Sequence, residues 1–215
     1  DGRRLAHVVM RRGNNEVAVT DAATGRVVRR IAPRGIGAIS AVSWSPDGAR
    51  LAIAGARHGQ PDLWVYDLGE RTLQQVTDDA WAELHPAWSP DGRSLAVATD
   101  RPAGRGDGQA LEALAFGRLR LALVDPVGGR VRPVALPAAL RDARTSDPHW
   151  SPDGRALVFV SDAGGVADVF RVHLASGAVE RLTNLVTGVS GLTDRSPAIT
   201  VARETGGLLF TAFDG

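Results

Sequence analysis

The sequence contains no cysteine. That excludes disulfide bridges, thiolate metal sites and a cysteine nucleophile. It contains no lysine either: all 25 basic residues are arginine, and 24 carboxylates bring the net charge to +1. A nearly neutral chain has no global field that would attract nucleic acid or an anionic membrane. With so much Ala and Gly alongside, the exclusive use of Arg reads as the codon bias of a GC-rich genome, not as a binding signal. Aromatic residues make up only 5%, too few for a sugar-stacking platform, and none interleave with the scattered arginines as a nucleic-acid groove requires. No apolar run approaches the roughly 20 residues of a membrane span. There is no initiator Met and no signal peptide, and the opening Asp1-Gly2-Arg3-Arg4 reads like the interior of a longer chain.

Other chemistry is equally thin. The five histidines, His7, His58, His85, His149 and His173, never fall in an H-E-x-x-H spacing, so neither a metal nor a cofactor is expected. The stretch GVSGL at 188–192 has Leu192 where a nucleophile elbow needs its closing Gly, and no helix pattern follows it. GRGDG at 104–108 has glycines but no strand-to-helix setting for a phosphate. No pair of carboxylates stands in an evident acid–base arrangement. At 215 residues the chain suits one domain, long enough to bury about 70% of its unfolded surface without staples.

What the sequence does have is repetition. WSPDG occurs at 44–48, 88–92 and 150–154. Asp47, Asp91 and Asp153 mark the register, Asp1 falls in phase, and a degenerate copy runs from 196 to 213 with Gly206–Gly207 in place of the turn. The unit is about 45 residues, the size of a four-stranded propeller blade. Each unit reads as four strands: in the second copy AISAVSW (38–44), ARLAIAGA (49–56), DLWVYDL (62–68) and TLQQVT (72–77). Polarity rises from the first strand to the last, which places the first innermost and most buried and the fourth at the rim. The first copy lacks its opening strand.

The pentapeptide has a conformational explanation. Pro46, Pro90 and Pro152 preset φ near −65° at the first central turn position. Asp47, Asp91 and Asp153 tolerate the second and can bond nearby backbone, and Gly48, Gly92 and Gly154 supply a left-handed residue. This predicts a type I hairpin with a Gly bulge. Trp44, Trp88 and Trp150, just before each turn, are suited to the wedge between neighbouring blades. A second turn recurs at Asp21–Gly25, Asp125–Gly129 and His173–Gly177, whereas the second copy keeps Asp67 but has Arg71 at the Gly position. The third unit carries an insertion at 101–118 whose QALEALAF could form two helical turns. Such loops on a repeat scaffold are common places for function.

This pattern (D-x-x-P-x-W-S-P-D-G, an apolar strand, S-D, a loop, a strand ending in Asp, and a last strand ending L-T) resembles the TolB-type propeller repeat, also called PD40 or WD40-like. The resemblance runs over essentially the whole chain. It implies an all-β propeller of four-stranded antiparallel blades, six-bladed in TolB-like proteins, with about four to five blades represented here. The expected blades are 1–37 (partial), 38–83, 84–144, 145–193 and 194–215 (partial), within a longer polypeptide. In that fold first strands line a central channel, so His85, His149, Asp147 and Asp194 become candidate channel-mouth contacts for a protein or peptide. The implied function is a non-catalytic interaction scaffold in the periplasm or cell envelope. The alternative is a substrate-gating propeller of a prolyl-oligopeptidase-like or tricorn-like peptidase.

Overall fold

The computed structural model describes residues 2–102, 118–191 and 196–213. It is an all-β propeller arc of five antiparallel sheets. Blade 1 has three strands, β1 (Arg4–Arg11), β2 (Asn14–Asp21) and β3 (Val27–Ile31). Blade 2 has four: β4 (Ala38–Trp44), β5 (Arg50–Arg57), β6 (Gln60–Asp67) and β7 (Leu73–Gln75). Blade 3 holds β8 (Glu83–Trp88), β9 (Leu95–Thr99), β10 (Arg120–Val124) and β11 (Val131–Pro133). A single helical turn, α1 (Ala138–Arg141), leads into blade 4, with β12 (Thr145–Trp150), β13 (Ala156–Ser161), β14 (Asp168–His173) and β15 (Val179–Arg181). Blade 5 shows β16 (Ile199–Val201) and β17 (Leu208–Phe210). Most of the 101–118 insertion, including the QALEALAF stretch, lies outside the described residues.

The WSPDG turns form as the residue types dictate. The Gly48 N–H donates to the Ser45 carbonyl at 3.0 Å, and Gly48, Gly92 and Gly154 have φ of 71°, 69° and 69°. Each turn Asp accepts the N–H two residues on, at 3.0 Å from Ala49, 3.1 Å from Arg93 and 3.0 Å from Arg155. The serines, which the turn rules did not single out, complete the device. Ser45, Ser89 and Ser151 donate to the Asp carboxylate and accept the N–H that opens the second strand. Those hydroxyl bonds hold the three carboxyls below their ordinary range.

Successive turns also touch. A Cβ built on Gly92 would lie 3.6 Å from Pro46 Cδ, on Gly154 3.6 Å from Pro90 Cδ, and on Gly206 3.4 Å from Pro152 Cγ. The proline ring of each turn therefore packs on the glycine of the next blade's turn, and the degenerate fifth copy keeps the register through Gly206.

Four apolar clusters lie between blades, not within them. Val17, Val19 and Ile31 of blade 1 meet Leu51, Ile53 and Trp64 of blade 2. Ala52, Leu63 and Val65 meet Trp88, Leu95 and Val97 of blade 3. Ala96 and Leu121 pack against Leu157, Phe159 and Phe170 of blade 4, with Trp150 at the edge, and Val158, Val160 and Val169 meet Ile199 of blade 5. The tryptophans sit in these wedges as expected, and Trp150 Nε1 donates to the Ala87 carbonyl of the preceding blade at 3.0 Å.

One expectation is corrected. The most buried strands are the second ones, with β9 and β13 buried throughout, whereas β4 alternates with accessible residues. The first strand turns one edge to the channel, while the second is covered by a neighbouring blade on each face.

Arg71 has a φ of 59°, the conformation that Gly25, Gly129 and Gly177 take at 69°, 67° and 70° in the other copies. An L-residue there costs about 1–2 kcal/mol. Arg71→Gly is therefore expected to raise unfolding free energy by up to about 1 kcal/mol in denaturant titration. At Gly25 an added Cβ meets open space, but at Gly129 it would lie 2.2 Å from the Val76 carbonyl oxygen. Gly25→Ala should cost only the left-handed strain, about 1–2 kcal/mol, and Gly129→Ala measurably more. Equal losses would contradict this packing.

Candidate functional site

The first strands of successive blades lie side by side, β4 against β8 and β8 against β12. Their starts mark one mouth of the channel and the WSPDG turns mark the other. Each strand is interrupted near its start by a bulge, between Ile39 and Ala41, Leu84 and Ala87, and Ser146 and His149. In blades 3 and 4 the bulge holds His85 and Asp147, both at φ 51°. Asp and His are among the residues that best tolerate this region. Pro86 or Pro148 follows, where a ladder is interrupted and a missing N–H costs little.

A cavity of about 420 Å³ opens at the mouth opposite the turns. His85, Ser146 and Asp147 face it from first strands, Ser161 and Asp162 from the end of β13, and Ser190 from the approach to blade 5. A smaller space of about 250 Å³ lies at the turn end, lined by Ser43, Ala87, His149, Trp150, Thr200 and Arg203. There Arg203 donates to the Trp44 carbonyl at 3.0 Å, which ties blade 5 to blade 2.

The four residues singled out from sequence thus divide. His85 and Asp147 line the larger cavity, His149 lines the smaller, and Asp194 lies outside the described residues. Asp147 is the best defined. Its Oδ2 accepts the N–H groups of Ala198 at 2.7 Å and Ile199 at 3.0 Å, and His149 Nε2 stands 3.4 Å from Oδ1. Burial alone would push this carboxyl up. The His149 imidazole and the two backbone donors outweigh it and hold the group below the usual carboxylate range. Asp147 is thereby a staple between blades 4 and 5 as well as a cavity wall.

Ser146 and Asp162 are not singled out by sequence, and Ser190 is met there only as a rejected nucleophile elbow. For Asp162 a signal existed in the S-D pair that ends the second strand. Its Oδ1 accepts the Arg144 N–H at 2.8 Å, and Asp100 does the same for Ala82 at 2.8 Å. Ser190 is tied to the last segment of the chain: its N–H donates to the Thr211 carbonyl at 3.1 Å, its carbonyl accepts the Thr211 hydroxyl, and Val189 pairs with Ala212. No group of three or more His, Asp or Glu suited to a metal occurs among the described residues.

The sequence reading also found no meaningful carboxylate pair, yet Asp62 and Glu83 are buried close together between blades 2 and 3. The 20 residues between them hide that proximity from any spacing rule.

Asp147→Ala would leave two buried N–H groups without an acceptor, at about 1–3 kcal/mol each. Asp147→Asn keeps an acceptor and should recover most of that loss at neutral pH. Because the folded-state carboxyl lies below its unfolded value of 3.8, its stabilisation is present above that value and disappears as pH falls through it. The stability difference between wild type and Asp147→Asn should be flat above about pH 5 and shrink below it. A difference that grows in acid would refute the assignment.

Comparison with known proteins agrees with this architecture. The TolB beta propeller domain family matches residues 1–111. The "Tol-Pal system protein TolB" of Francisella tularensis subsp. mediasiatica is 26% identical over 203 residues, 93% of this chain and 41% of that protein. The "Uncharacterized peptidase YuxL" of Bacillus subtilis is 42% identical over 50 residues, 23% of this chain and 8% of that protein. The crystal structure of TolB from Acinetobacter baumannii superposes with a TM-score of 0.70 at 20% identity, covering 96% of this chain and 46% of that one. The chain thus spans less than half the length of each of these proteins. It belongs to the TolB β-propeller domain family.

Proposed function

We propose that this chain is the propeller portion of a non-catalytic interaction protein of the bacterial cell envelope, acting in the periplasm. A protein or peptide partner engages the mouth opposite the WSPDG turns. The observation that carries this reading is the cavity of about 420 Å³ at that mouth, lined by His85, Ser146, Asp147, Asp162 and Ser190. His85, Ser146, Asp147, Val160 and Ser161 reach it from strands held between neighbouring blades, and such a preformed framework lowers the entropy lost on recognition. Polar groups of both characters converge there. A relative named for the Tol-Pal system supports the envelope setting. No helix among the described residues is long and apolar enough to cross a membrane.

A second reading is favoured by the short stretch of 42% identity to a protein named as a peptidase. In it the same mouth filters substrate for a hydrolase domain elsewhere in the polypeptide, and the propeller itself stays inert. The two readings share the mouth and differ in what passes it.

Site-specific photocrosslinking in the native host separates them. A photoreactive residue at Ser146 should capture one discrete protein partner, and one at Val28, on the outer strand of blade 1, should not. Capture at Val28 with none at Ser146 would place the contact elsewhere and end the mouth reading. Peptide-ester hydrolysis by the purified chain, lost in Ser190→Ala, would overturn the non-catalytic assignment.

A further inference from the structure

Blades 2 and 4 carry the same junction in two electrical forms. In each, a Thr two residues beyond the fourth strand accepts an N–H from the first half of the third, Leu63 to Thr77 at 2.9 Å and Val169 to Thr183 at 2.9 Å. In each, a buried Asp precedes that N–H, Asp62 or Asp168. In blade 4 Asp168 is fully satisfied: Arg181 donates to Oδ2, and Thr183 at 2.6 Å and Leu185 N–H at 3.1 Å donate to Oδ1. Burial opposes ionisation there, but those donors win and hold the carboxyl below its usual range.

In blade 2 the position of Arg181 is taken by Gln75, the same 13 residues after the Asp. Gln75 Nε2 donates to Asp62 Oδ2 at 3.1 Å, and its Oε1 accepts from Arg57 at 3.3 Å. Asp62 Oδ1 makes no hydrogen bond although the residue is only 2% exposed. The Thr77 hydroxyl donates instead to Glu83 Oε2 at 2.7 Å, and Thr99 reaches Glu83 Oε1 at 3.3 Å. Glu83 is wholly buried at the start of β8. The chain between them, Thr77 to Ala82, crosses from the rim of blade 2 to the channel side of blade 3 and buries Trp81.

We propose that this junction is a proton-operated latch. With Asp62 and Glu83 protonated, the crossover from Thr77 to Ala82 is held between the blades. Their ionisation releases it, together with the start of the strand that carries His85.

The surroundings favour the neutral forms. Asp78 and Asp79 face the pair from the crossover, Arg101 from just beyond β9, and Arg57 from β5 through Gln75. Among the described residues Arg101 is the cation close to Glu83, at 3.8 Å, and it is also paired with Asp79. Burial, then the charges of Asp78 and Asp79, push Asp62 up to about 7 against the Asp79 N–H and the Gln75 amide, which favour its charge. Burial, aided by Asp79 and opposed by Thr77 and Arg101, pushes Glu83 up to about 8. A carboxyl raised in the folded state stabilises fully below its unfolded value, and that stabilisation is lost as pH rises through the folded one. The latch therefore opens across neutral to mildly alkaline pH, while the Asp168 junction, shifted the other way, stays closed.

Hydrogen exchange of the purified chain, read by mass spectrometry at pH 6 and 9 and corrected for intrinsic exchange rates, tests this. Protection of the 77–84 segment should fall by about tenfold or more at the higher pH, one pKa unit corresponding to a factor of ten. The 183–187 segment of blade 4 should hold. Asp62→Asn combined with Glu83→Gln should keep at pH 9 the protection that wild type shows at pH 6. Equal wild-type protection at both pH values would overturn the proposal, and that comparison needs no variant. A loss at pH 9 that persists in the double variant, or that strikes both segments alike, would also overturn it.

Discussion

The wedge between blades is the constraint on which the rest depends. A twisted four-stranded sheet has two apolar faces on its second and third strands, and neither can be covered from within the same sheet. Each face is covered only by the next blade, so Leu51, Leu95 and Leu157 are fully buried through neighbours that lie a whole repeat away. Burying one such side chain yields about 1.5–3 kcal/mol. The turn contacts fix the phase of that stacking: proline on glycine, blade after blade, at about the same radius. Once blades are phased, the first strands converge on a channel, and the bulges that carry His85 and Asp147 fall into one layer at its mouth.

Much of this was legible in the sequence because the repeat writes it several times. Strands such as AISAVSW, expected at 38–44 and found as β4, need only alternation and a strong turn to be placed. The Pro-Asp-Gly chemistry predicts the left-handed glycines, and Arg71 is the odd position by residue type and by its φ of 59° alike. What stayed hidden depends on chain crossing between blades. No spacing rule joins Arg203 to Trp44, 159 residues away, or Asp147 to the backbone of Ala198, 51 residues away. The expectation that first strands are the most buried failed for a related reason. Hydropathy reports how apolar a strand is, and a channel edge can be apolar yet accessible.

Function follows from where the repeats stop agreeing. The turns are nearly invariant because geometry demands it. Electrostatics is free to vary, and it does. Asp147 and Asp168 are buried and ionised, each with several donors, whereas Asp62 and Glu83 are buried with too few donors to carry charge. The mouth thus sits on junctions that differ in their electrostatics, while the frame that positions it is common to all of them.

The central claim is that the wedge, not the blade, is the cooperative unit. Native-state hydrogen exchange of β5, β9 and β13 under mild denaturant tests it most directly, with wild type compared to Trp88→Ala, which opens the wedge between blades 2 and 3 at a cost of about 3–5 kcal/mol. The account predicts that the three strands exchange with one common free energy and that the substitution lowers all three together. If β9 alone lost its protection while β5 and β13 kept theirs, each blade would be stable by itself, and the account would be wrong.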